Sequence, residues 1–147
     1  MKQALLLTAL LFSSMFLLAE PIDTKVSIRN THFSYVNRGM CSVAFDVTAY
    51  DFIENVKEIE FKVLIKDKKG RLLDLATVTA DEFNRVGGKA YSQFFLEGEE
   101  ACGFSGETLE VVKAVVIYND YTPSEDIIET NKLEIQEFNP MKIVIKK

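Results

Sequence analysis

Side chains able to do chemistry crowd most closely in EGEEACGFSGE, residues 97–107, where Glu97, Glu99, Glu100 and Glu107 surround Cys102. Four carboxylates are hard oxygen ligands suited to calcium. An EF-hand, however, sets Asp and Asn at alternate positions of its loop, and that order is missing here. The other cysteine, Cys41, lies too far upstream for a CxxC redox pair or a compact zinc knuckle. An even count with nothing left over suits one structural bridge between Cys41 and Cys102. The loop then reads as a stapled turn whose glycines let the backbone bend while its glutamates face water.

Catalytic constellations are hard to assemble from the remainder. His32 is the single histidine, and no GxSxG elbow accompanies it as a partner for a serine nucleophile. With both cysteines oxidised no thiol nucleophile is left, and one imidazole cannot build a His-rich zinc site. No two carboxylates stand out as an acid and base pair of the glycosidase kind. NRVGGKAYS lacks both the spacing and the strand-to-helix context of a phosphate loop. The residues therefore predict no enzyme, no metal and no cofactor.

The opening MKQALLLTALLFSSMFLLAEP has Lys2, then an uncharged apolar run from Ala4 to Ala19, then Glu20 and Pro21. That is the layout of a secretory signal peptide over residues 1–19, with residues 20–147 as one mature domain. A retained N-terminal anchor is the alternative, since Leu17 stands where a small residue is usual before cleavage. The run is shorter than a comfortable membrane span, so no stable insertion is expected after cleavage. Secretion, or release to a periplasm, places both cysteines where disulfides persist. The net charge of −5 becomes more negative once Lys2 is removed. An acidic chain without a basic cluster is poorly suited to nucleic acid or anionic lipid.

The elements that must position these residues are strands. MCSVAFDVTAY alternates Cys41, Val43, Phe45, Val47 and Ala49 against polar or small neighbours, which puts Cys41 on a core face. EFKVLIKDKKGRLLDLATVT reads as a hairpin with Phe61, Val63 and Ile65 inward, a turn at DKKG, and Leu73, Leu75 and Thr77 or their neighbours returning. Thr79 three residues before Glu82, followed by Gly87 and Gly88, predicts one short helical turn near residues 80–85. Strands near KVSIRN, AYSQFFLE, LEVVKAVVIY, NKLEIQEF and MKIVIK complete seven or eight. The fold class is all-β, an antiparallel sandwich of the fibronectin III or immunoglobulin kind.

Residues 109–118 are apolar on both faces apart from Lys113, whereas a strand with one wet face alternates. Either other parts of the chain cover the second face, or a second chain does. The tail MKIVIKK, set beyond Pro140, can pair with its own sheet or a neighbour's, which predicts a homodimer built by strand exchange. Tyr50, Phe52, Phe104, Tyr118 and Tyr121 fall near predicted strand ends. They are the candidate partner-binding residues, because loop aromatics bury much area at low entropic cost.

VVIYNDYTPSED resembles the passage from strand F into the FG loop of fibronectin type III domains, with Asn119, Pro123 and Ser124 at the matching places. Together with the signal peptide, mature length and strand count, this makes the chain similar to the small secreted bacterial interleukin receptor mimic proteins. That resemblance implies a fibronectin III-like sandwich, a strand-exchanged dimer and binding of an extracellular host protein of the cytokine class. It covers the mature chain at the level of architecture. Two departures stand out: there is no tryptophan, so Phe45 takes the place of the usual core Trp, and the WSxWS box of cytokine receptors is missing. A pilus or surface structural subunit of immunoglobulin-like fold is the alternative function, and a periplasmic enzyme or inhibitor a third.

Overall fold

The computed structural model describes residues 25–50, 56–137 and 141–147. The expected signal peptide, Phe52 and Pro140 lie outside the described residues. The elements run β1 (Val26–Asn37), β2 (Met40–Tyr50), β3 (Val56–Lys66), β4 (Leu72–Ala80), β5 (Asn84–Val86), β6 (Lys89–Gly98), a 3-10 turn (Glu100–Gly103), β7 (Thr108–Tyr118), β8 (Glu125–Asp126), β9 (Leu133–Ile135) and β10 (Lys142–Ile145).

Two sheets form in the orders β5-β6-β2-β1-β9 and β10-β7-β3-β4, with β8 also on β7. Each strand pairs where its alternation presents an apolar face to the opposite sheet. From one sheet come Val43, Phe45, Val47, Phe94 and Leu96; from the other come Ile59, Phe61, Val63, Ile65, Leu109 and Val111, all buried. The fold is the all-β sandwich expected, and most ladders are antiparallel. Two short ones, β1 with β9 and β10 with β7, are parallel.

Aromatic rings join the two layers at the centre. Phe45 on β2 stacks on Phe94 of β6 at 4.8 Å between centroids, and Phe94 lies 5.4 Å from Phe61 of β3 across the core. Phe45 thus sits fully buried in an aromatic cluster, the role expected of it in the absence of tryptophan.

Two local expectations need correction. Residues 80–85 are not helical: Ala80 ends β4, Glu82 has φ +48°, and Asn84 already begins β5. Gly87 and Gly88, both at positive φ, turn the β5-β6 hairpin in which Val86 pairs with Lys89, so they serve a strand turn and not a helix end. Among the described residues the one helical turn lies in the cysteine loop instead. Of the two phases left open on β4, the neighbours Ala76 and Val78, with Ala80, face the core, because a register shift beside Ile65 and Lys66 turns Leu73 and Leu75 outward. The doubly apolar β7 is a central strand, paired with β3 on one edge and with β10 and β8 on the other. Its second face is half-buried within the chain itself.

β10 is anchored across the sandwich. The buried Asn30, at a bulge in β1, accepts a hydrogen bond from the Met141 backbone N–H at 2.8 Å and donates to the Ala44 carbonyl at 2.8 Å. Met141 itself is core.

Candidate functional site

The cysteine loop is built as a closed corner. Cys41, the second residue of β2, lies opposite Gly98, the last residue of β6, and the chain passes from Gly98 into the 3-10 turn that carries Cys102. The disulfide joins Cys41 to Cys102 with Cα atoms 4.9 Å apart. It therefore ties a strand to the loop of its neighbour, one of two arrangements its placement allowed. Gly98 has φ +147°, and a Cβ there would lie 2.9 Å from a Glu100 carboxylate oxygen, so only glycine makes this corner unstrained. Glu97, Glu99 and Glu100 face solvent, while one carboxylate oxygen of Glu107 is buried without a hydrogen-bond partner among the described residues. No group of three or more His, Cys, Asp or Glu side chains among the described residues is arranged to hold a metal ion. His32 is exposed, its Nδ1 3.3 Å from the Thr31 hydroxyl.

The described candidate aromatics differ in exposure. Phe104 is 5% exposed and plugs the end of the core beside the disulfide, so it is unavailable to a partner. The reason is that the bridge pulls the loop inward and carries its one large apolar side chain with it. Tyr50 is half-buried at the end of β2, with the Lys89 ammonium 4.9 Å from its ring centre and Gln136 donating to its hydroxyl. Tyr118 is half-buried and packed against the core; burial, with Glu125 and Asp120 nearby, pushes its phenol above the usual value. Tyr121 stands fully exposed. Glu125 feels the pull of burial upward, but hydrogen bonds from Lys132 and Thr130 and the Lys132 charge hold it below the ordinary carboxylate value.

A concave surface lies elsewhere, at the seam between β4 and β6. A groove of about 710 Å3 is lined by Val78 and Thr79 of β4, the loop residues Asp81 and Glu82, and Tyr91, Gln93 and Phe95 of β6. Gln93 is pinned by a 2.7 Å hydrogen bond from its amide to Asp46, whose other oxygen accepts from Arg29 at 2.9 Å. The Ser92 hydroxyl donates to the Asp81 carbonyl and fixes the loop to the strand. Tyr91 and Phe95, each two positions from Gln93 on the same face of β6, remain 40% and 45% exposed. Exposed aromatic rings and carboxylates thus share one concave face.

A family model described as IrmA, interleukin receptor mimic protein A, matches residues 26–133, which is most of the chain. The chain belongs to the IrmA family. The solved structure of IrmA from Escherichia coli aligns with a TM-score of 0.61 and 20% identity, covering 80% of this chain and 95% of that one. At that identity the likeness shows the shared sandwich. No curated protein matches the sequence. The IrmA family match runs from β1 to the start of β9 and so takes in the whole seam, the disulfide and Tyr121. For an IrmA-family chain the family description is that of a receptor mimic. No helix among the described residues is long and apolar enough to cross a membrane.

The seam residues were missed from sequence, although a signal was present. In AYSQFFLE the core phase is Ala90, Ser92, Phe94 and Leu96, which leaves Tyr91 and Phe95 on the phase that faces water. Two aromatics on a wet face are an anomaly of the kind that marks contact surfaces. Asp81 and Glu82 gave no such signal, because only folding brings their loop beside β6.

Proposed function

We propose that the chain is a secreted, non-enzymatic binding module that engages an extracellular host protein of the interleukin class. The receptor-mimic family match over residues 26–133 carries this reading. Two features support it. The disulfide suits an exported protein, and Tyr121, Tyr91 and Phe95 offer exposed rings on a rigid frame. In the same reading residues 1–19 are a cleaved signal peptide and residues 20–147 the mature domain. The mature protein is a homodimer in which β10, the last and a short strand, is exchanged between protomers.

The test is a binding screen of the purified, disulfide-bonded protein against a panel of extracellular host proteins that includes interleukins. Binding to an interleukin is expected, with Tyr121→Ala weakening it by about fivefold while leaving the folded spectrum unchanged. A panel with no binder would remove the reading, and a Tyr121→Ala variant that binds equally well would remove Tyr121 from the surface.

A further inference from the structure

The groove at the seam runs along an open sheet edge. β5 pairs only with Lys89–Tyr91 of β6. Among the described residues no other strand lies beside Ser92–Gly98 on the side away from β2. Such an edge presents a row of N–H and C=O groups at strand spacing, a template for one more strand. The facing wall, Val78 and Thr79, belongs to β4, which is itself the outermost strand of the opposite sheet.

Charge decides what kind of segment fits. Asp46 on the floor is already compensated by Arg29. Asp81 and Glu82 on the rim are exposed, and neither takes part in an ion pair among the described residues. The two rim carboxylates stand beside the exposed rings of Tyr91 and Phe95. A guanidinium matches both features, since its planar fork pairs with carboxylate oxygens and its face stacks on an aromatic ring. The net charge of −5 further favours the approach of a cationic partner. A nucleic acid would be repelled by the same rim.

Resting on the reading that this is a protein-binding module, we propose that the seam groove takes an extended, basic segment of the partner protein. The segment lies alongside the free part of β6, with Arg or Lys side chains on Asp81 and Glu82 and over Tyr91 and Phe95.

The test is an NMR titration of the labelled, disulfide-bonded protein with a capped hexapeptide alternating Arg and Val, and with its Glu and Val counterpart. Shifts are expected to concentrate on residues 81–84 and 91–95, and the amides of Ser92–Gly98 are expected to gain exchange protection. The Glu peptide is expected not to bind, and Asp81→Asn with Glu82→Gln should weaken the Arg peptide by about fivefold. If that double variant misfolds, Tyr91→Ser with Phe95→Ser serves in its place. Shifts scattered over the surface, equal binding of both peptides, or unchanged affinity in the folded variant would each overturn the proposal. An Arg peptide that binds here while no interleukin does would keep this inference and remove the proposed function. An interleukin whose affinity ignores the groove variants would do the reverse.

Discussion

Tyr118 and Phe104 show how far apart two aromatics near strand ends can end up. Phe104 is core, and truncation to alanine would cost about 3–5 kcal/mol in chemical denaturation, a stability effect and not a binding one. Tyr118 makes a pH prediction. Its folded-state pKa is raised, first by burial and then by Glu125 and Asp120, above the ordinary value of 10.0. A group raised in this way leaves stability intact below its unfolded value, and stability declines as pH climbs from there through the folded value. The wild-type melting temperature should therefore fall above about pH 10, and Tyr118→Phe should flatten that fall. An identical alkaline profile in the variant would show that Tyr118 is not the responsible group. Glu125 acts at the other end. Its lowered pKa contributes stability that is present above the ordinary 4.5 and is lost as pH drops through the folded value.

At the scale of elements, the least obvious dependence is that of β10 on β1. The strand has only Lys142–Ile145 in its ladder with β7, and it is led in by the Met141 backbone hydrogen bond to buried Asn30. Replacing Asn30 with Leu would leave the Met141 N–H buried and unpaired, at a cost of about 1–3 kcal/mol. The Ala44 carbonyl would still accept from the Thr31 hydroxyl, so the loss should be concentrated at β10. Hydrogen exchange of the β10 amides in Asn30→Leu should rise well before that of β2 and β6; uniform loss of protection would contradict this. Gly98 is a second such point, where a Cβ would meet both the positive φ and the Glu100 side chain. Gly98→Ala should destabilise by about 1–3 kcal/mol, read from the denaturation midpoint.

The whole molecule is a long-range construction. The bridge spans 61 residues of sequence, and constraining an unfolded loop of that length is worth about 4 kcal/mol on the chain-entropy account. Reduction, or a Cys41→Ala with Cys102→Ala variant, should lower the urea midpoint accordingly without altering the strand content seen by circular dichroism. An unchanged midpoint would mean the corner holds by packing alone. Oligomeric state belongs to this scale too. Light scattering on the mature protein should give a dimer, and removal of residues 141–147 should return it to monomer; a wild-type monomer at high concentration would end the strand-exchange proposal.

Much of this was legible beforehand because it depends on local periodicity. Alternation in MCSVAFDVTAY and EFKVLIK set which residues of β2 and β3 are buried, and an even count of two cysteines left one pairing. The DKKG turn was readable too, from the glycine that ends it: Gly70 adopts a positive φ. What alternation alone could not decide is where the phase slips. The β3-β4 bulge turned Leu73 and Leu75 to solvent, and the pairing of Val86 with Lys89 made a hairpin turn of two glycines that read as a helix end. By itself, then, the sequence determined an acidic, disulfide-linked, all-β sandwich. Only the tertiary structure decided which aromatics meet water and which carboxylates stand beside them, because the seam is made by strands far apart in the chain whose edges meet only once both sheets have closed on one core.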